Sequence, residues 1–172
     1  MPRLLKHRNL AEDRWRLLHE ATTLADLPGD CAVLVPLALW RAHGPALRDR
    51  GDVGVWLAPT DDPGLLGADV DVLPVIAVDF PHFTDGRGYS IARLLRERYG
   101  YANELRAIGD VLRDQLFALA EVGFDAFVLR EGEDAAAALA GFDDFRGVYA
   151  PTAVRPQPWF RRRGGNGVAA RG

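Results

Sequence analysis

The chain has 172 residues, 48% hydrophobic and 26% charged, with a net charge of −3. That length suits one domain with a substantial core, and the composition is neither disordered nor fibrous. The longest nearly apolar run, Cys31–Trp40, falls well short of the roughly 18–20 residues of a membrane span, and the N-terminus lacks the apolar stretch of a secretory leader, so a cytoplasmic protein is expected.

Residues Arg3 to Leu18 hold two short apolar patches, Leu4-Leu5 and Trp15 with Leu17-Leu18. Asn9 between them supplies a turn signal, which predicts an N-terminal hairpin or two edge strands packed outside the main sheet. After Pro28-Gly29-Asp30, the β-branched run CAVLVPL reads as a buried parallel strand. The helical stretch that follows is expected to bend or split at Gly44-Pro45. VGVWLA (53–58) is a second strand and PVIAVDF (74–80) a third, stopped by Pro81. A helix over about 86–99, a strand at 104–108, a helix over about 111–122, a strand at 124–129 and an Ala-rich helix at 133–140 complete the series.

Five strands alternating with helices, and apolar on both faces, predict a mostly parallel sheet joined by right-handed crossovers. Five strands do not close an eight-stranded barrel. The fold class is therefore α/β, either a partial (β/α) barrel or an open sheet. Residues 1–150 form one domain, and 151–172 a basic tail with five arginines and no acid. The acidic balance of the remainder argues against nucleic acid as a partner and leaves the tail a solvated, flexible segment. Ligands of such folds gather where strands run into loops, here Pro59–Asp62, Asp79–Gly88 and Gly109-Asp110.

The turn Thr84-Asp85-Gly86-Arg87-Gly88-Tyr89-Ser90 follows a strand and opens a helix. Backbone N–H groups there, with the Arg87 fork and the hydroxyls of Tyr89 and Ser90, would suit a small oxyanion such as sulfite, sulfate or phosphate. The competing reading makes Asp85 a helix cap that uses the same donors. No dinucleotide or P-loop fingerprint is met, so the cofactor stays unassigned. Asp79 at a strand end, with Asp110 and Arg87 on the same edge, is the candidate for catalysis. Asp110 could instead cap a helix from Val111, and Asp79 could form an ion pair with Arg87 or Arg106. His82 is a further candidate base, more simply a surface residue. A lone Cys31 at the start of an apolar run reads as a small buried hydrophobe. Four scattered histidines predict no metal site.

The run from AVDFPHFTDGRGYS through LRAIGDVLRDQL to FVLRE, with VPLALW and VGVWLAP before it, resembles the bacterial family catalogued as domain of unknown function 934. The resemblance covers most of the chain. It implies a role in assimilatory sulfite reduction, as an accessory protein or as an oxidoreductase. Nitrite/sulfite reductase is the implied partner, and a non-catalytic interaction with it is the alternative. The basic tail with Trp159-Phe160 has the composition of an interface anchor. No thiol pair, nucleotide motif or cluster ligand set accompanies the oxidoreductase label.

Overall fold

The computed structural model describes residues 4–7 and 9–140; the segment 151–172 read as a tail lies outside them. Eight strands form one sheet, in the spatial order β2-β1-β8-β7-β6-β5-β4-β3. They are β1 (Leu4–Lys6), β2 (Asn9–Ala11), β3 (Trp15–Leu17), β4 (Ala32–Pro36), β5 (Val53–Leu57), β6 (Val75–Phe80), β7 (Glu104–Gly109) and β8 (Ala126–Val128). From β3 to β8 all neighbours are parallel and follow chain order. An order that never reverses, built with crossovers of one hand, keeps the connecting helices on one face. The sheet therefore curls into a half-barrel, the first of the two arrangements the sequence allows.

The N-terminal hairpin is present as β1 and β2, but it is not packed outside the sheet, because β1 pairs antiparallel with β8. Nor do the two apolar patches pair with each other. The Trp15 patch becomes β3 and adds parallel to β4 at the opposite edge. Only Glu12, Asp13 and Arg14 link β2 to β3. Such a link reaches about 14 Å at most, whereas eight flat strands would set the edges about 34 Å apart. The curl of the sheet is thus demanded by the shortness of this link.

Among the described residues, helices α1 (Leu37–Arg50), α2 (Arg87–Arg93), which runs into a wider π-turn over Leu94–Arg98, and α3 (Leu116–Glu121) pack on the convex face, and the Ala-rich helix expected near the end of the domain is present over 135–140, with Ala135 and Ala138 in the core. The bend expected in α1 falls at His43 (φ −132°), beside Pro45. Helix α3 starts later than the sequence pattern predicts, after a 3₁₀ turn at Arg113–Gln115, because Leu112 stays extended and its N–H is taken by the Gln115 side chain. Asp110 consequently caps no helix.

Strand alternation divides the core. Val33, Val35, Val55, Leu57, Ile76, Val78, Phe80, Leu105, Ala107 and Phe127 face the helices. Leu34, Val75, Ala77 and Ile108 face the concave interior with Trp15, Leu17, Trp56 and Val128. Gly54 on β5 is required by this interior, since a Cβ there would lie 2.6 Å from Val75 O and 2.7 Å from Leu34 Cδ2.

Two arginines are built into the core. Arg106 on β7, 1% exposed, donates to Asp13 Oδ1 at 2.8 Å and to Glu104 Oε1 at 2.8 Å. Lys6 reaches the other oxygen of Glu104 at 2.5 Å. This buried network ties the β2–β3 link to the centre of the sheet. Arg96, 3% exposed, donates to the carbonyls of Gly123, Tyr101 and Asn103 and to Asp125. A reading by apolar periodicity puts Arg96 off the buried stripe and Leu94 on it, whereas Leu94 is 37% exposed. The stripe runs instead through Gly88, Ile91, Ala92, Leu95 and Arg96, and satisfied carbonyl acceptors make the buried guanidinium tolerable.

Candidate functional site

The two ends of the half-barrel differ in chemistry. At the amino ends of the strands an open cleft of about 450 Å³ is lined by Lys6, Trp15, Val72, Pro74, Val75, Asn103 and Glu104. Its charges are already paired with each other and with Arg106. At the carboxyl ends the rim is made by the segments after β3, β5, β6 and β7, where folds of this type place their ligands.

Asp79, the next-to-last residue of β6, shares the concave face with Val75 and Ala77. It is half-buried, and among the described residues no side chain donates to it. Burial pushes its carboxyl above the usual range, opposed by the charge of His19 and the N–H of Phe80. The two ion-pair partners considered for it are both engaged elsewhere: Arg106 with Asp13 and Glu104, and Arg87 with Asp85. Beside it Gly109 adopts φ 92°, and a Cβ there would come within 2.6 Å of Asp79 Oδ1 and 2.5 Å of Phe80 O. Only glycine leaves this strand end open.

In the Gly86–Ser90 turn, Asp85 does much of what an anion would do. Its Oδ1 accepts from the Arg87 N–H at 3.1 Å and from Arg87 Nε at 2.9 Å, while Oδ2 takes Arg87 Nη2 at 2.6 Å. The guanidinium and this amide hold the Asp85 carboxyl down to about 2. Gly86 and Ser90 are exposed. Gly88 is buried, with space for a Cβ blocked by the Phe80 ring, and Tyr89 packs edge-on against that same ring at 5.7 Å. Gly88 and Tyr89 therefore sit on the convex face and Asp79 on the concave one, joined only at the rim where the chain turns from β6 into α2.

Asp110 fastens the rim. It accepts from the Phe83 N–H at 3.0 Å and from Arg130 at 3.2 Å, and these donors, the amide first, lower its carboxyl. The Phe83 carbonyl accepts from Gln115 Nε2 at 2.7 Å. Phe83 is thereby locked at its backbone while its ring is 50% exposed. His82 is exposed, with its charge near Asp85 and Asp110. Cys31 is a free thiol, partly buried against the core. Among the described residues no group of three His, Cys, Asp or Glu side chains is placed to hold a metal ion, and no helix is long and apolar enough to cross a membrane.

A family model described as "Bacterial protein of unknown function (DUF934)" matches residues 54–160. The chain belongs to this family. No curated protein matches it. In this DUF934 protein the matched span carries Asp79, the Gly86–Ser90 turn, Arg106 and Asp110, but begins inside β5.

Two residues at the mouth of the DUF934 half-barrel carry no sequence signal. Trp56, on the concave face of β5, donates from Nε1 to Leu18 O at 3.1 Å. His19 meets the Trp56 ring edge-on, with centroids 5.3 Å apart. A lone histidine outside any motif, distant in sequence from Asp79, can be recognised only once β3 is known to lie on the edge of the same sheet.

Proposed function

We propose that the carboxyl mouth of this half-barrel binds a small oxyanion, with Asp79 as the proton-carrying group, and that the protein acts in cytoplasmic sulfite reduction as an accessory to the reductase. The observation that carries this reading is the state of Asp79: a strand-end carboxyl, half-buried, without a side-chain partner among the described residues, and kept clear by Gly109. A carboxyl already pushed upward by burial accepts a proton more readily still when an anion approaches, and the neutral acid then donates to an anionic oxygen. Arg87 lies on the same rim. The Arg87 guanidinium is exposed on its outer side while it pairs with Asp85, so it can reach a ligand oxygen from there. The sulfite setting comes from the family resemblance. Electron transfer, if this chain takes part in it, requires a cofactor or partner to carry the electrons.

Proton uptake on binding fixes the pH dependence. Affinity must rise as pH falls toward the titration of Asp79, in the range above 3.8, its ordinary value. Calorimetric titration with sulfate, whose own charge is constant over this range, should give tighter binding at pH 5 than at pH 8. Asp79→Asn should reduce this pH dependence by the part that Asp79 contributes. Equal heats and equal affinities for wild type and Asp79→Asn would defeat the reading, and sulfite and phosphate titrations would then rank the ligands.

A second reading, a non-catalytic docking role toward nitrite/sulfite reductase, is favoured by Phe83. A half-exposed ring on a backbone fixed from both sides is a pre-organised anchor. Phe83→Ala should lower capture of the purified reductase, and unchanged capture would remove this reading.

A further inference from the structure

The mouth is finished by a residue from outside the span that the family model matches. Leu18 N–H donates to Leu34 O at 3.0 Å, so the parallel pairing of β3 with β4 continues one residue past β3 and delivers His19 to the carboxyl rim. Trp56 then bridges the distance to β6. Its indole N–H holds Leu18 O, its ring carries His19 at 5.3 Å, and its strand position is in register with Ala77, two residues before Asp79 on the same face. His19 and Asp79 are thus brought to the same rim, His19 against the Trp56 indole and Asp79 two residues beyond Trp56's partner on the neighbouring strand.

The arginines around this mouth are occupied, while His82 lies exposed on another segment of the rim near Asp85 and Asp110, and Glu20 is exposed next to His19. Arg106, lower on the concave face, is held by Asp13 and Glu104; Arg87 by Asp85; Arg130 by Asp110 and Glu133. Ile108 and Gly109, which pair with Asp79 and Phe80 from β7, bring no charge. His19 is exposed and makes no hydrogen bond to a described residue. Its charge acts on Asp79, and among the described residues no hydrogen bond joins the two side chains.

We propose that His19 is a second binding residue of this mouth, donating an imidazolium N–H to one oxygen of a small oxyanion while the Asp79 carboxyl donates to another. The inference rests on the reading of the mouth given above and adds to it the residue that supplies positive charge. It also places ligand selectivity partly in residues 1–53, which the family match does not include.

The test is sulfate calorimetry at pH 5 on the full chain with His19→Gln, Asp79→Asn and, as a control histidine on another segment of the rim, His82→Gln. Loss of one charge-assisted hydrogen bond should weaken binding by roughly tenfold or more in His19→Gln, with His82→Gln within twofold of wild type. If Asp79→Asn reduces the difference in affinity between pH 5 and pH 8 and His19→Gln does not weaken binding, His19 is excluded and the mouth reading stands. If wild type takes up no sulfate, both fall. An independent readout is the carboxyl ¹³C titration of Asp79 by NMR. Removing the neighbouring positive charge in His19→Gln should move its midpoint upward, and an unmoved midpoint would overturn the pairing.

Discussion

Alanine at position 88 would put a methyl group 2.4 Å from Cζ, 2.6 Å from Cε1 and 3.1 Å from Cε2 of Phe80. Carbon atoms in contact sit about 3.5–4.0 Å apart, so either the ring or helix α2 must move by about 1 Å. The ring has nowhere to go. Phe80 is fully buried, with Tyr89 edge-on at 5.7 Å and Phe124 at 5.8 Å. Overpacking of this kind costs about 1–3 kcal/mol. The better helix propensity of alanine returns at most about 1 kcal/mol, and with contacts as short as 2.4 Å placing the clash at the upper end of that range, the net loss is about 2 kcal/mol. Gly86, two residues earlier, is the matched control. Its φ of −77° is open to any residue and nothing lies within 4 Å of a Cβ there, so Gly86→Ala should gain about 0.4–1 kcal/mol by restricting the unfolded chain. Urea unfolding followed by circular dichroism would give the two midpoints, read at unchanged slope. A Gly88→Ala protein as stable as wild type would refute the argument that this glycine exists for helix–sheet contact.

Arg106→Met should destabilise the fold by about 3–5 kcal/mol, because it leaves Asp13 in the interior without its cation and Glu104 with Lys6 alone; a loss below about 1 kcal/mol in urea unfolding would mean that water reaches them. Asp79→Asn should raise stability at pH 7. A carboxyl whose folded-state titration is raised costs stability while ionised and regains it as pH falls through the folded value toward 3.8, so the stability difference between wild type and variant should shrink on acidification. A difference independent of pH would show that Asp79 titrates normally.

Strands β4 to β8 were legible in the sequence because each is a short β-branched or apolar run bounded by turn residues, and β6 ends where Pro81 forbids extension. Strand β3 was legible as an edge strand from its apolar patch, but not its place, since Trp15-Arg16-Leu17 is too short to show a period and its pairing with β4 at the far border depends on a curl that no local pattern reveals. The burial of Arg96 has no sequence signal, because a guanidinium reads as a solvent residue unless its carbonyl acceptors on Tyr101, Asn103 and Gly123 can be seen to converge on it. In the Gly86–Ser90 turn the competition between Asp85 and a ligand for the same donors was visible from spacing alone. What spacing could not supply is the division of the rim by the sheet, with Asp79 on one side and Gly88 and Tyr89 on the other. His19 and Trp56 were out of reach for the same reason, as nothing local joins them to Asp79.

The tripeptide Glu12-Asp13-Arg14 has one more effect. It acts as a girth strap: with both borders of the sheet fastened and Asp13 anchored to Arg106, the lumen cannot dilate to accommodate a guest. A ligand of the kind proposed for the mouth would therefore meet a curl that is already fixed.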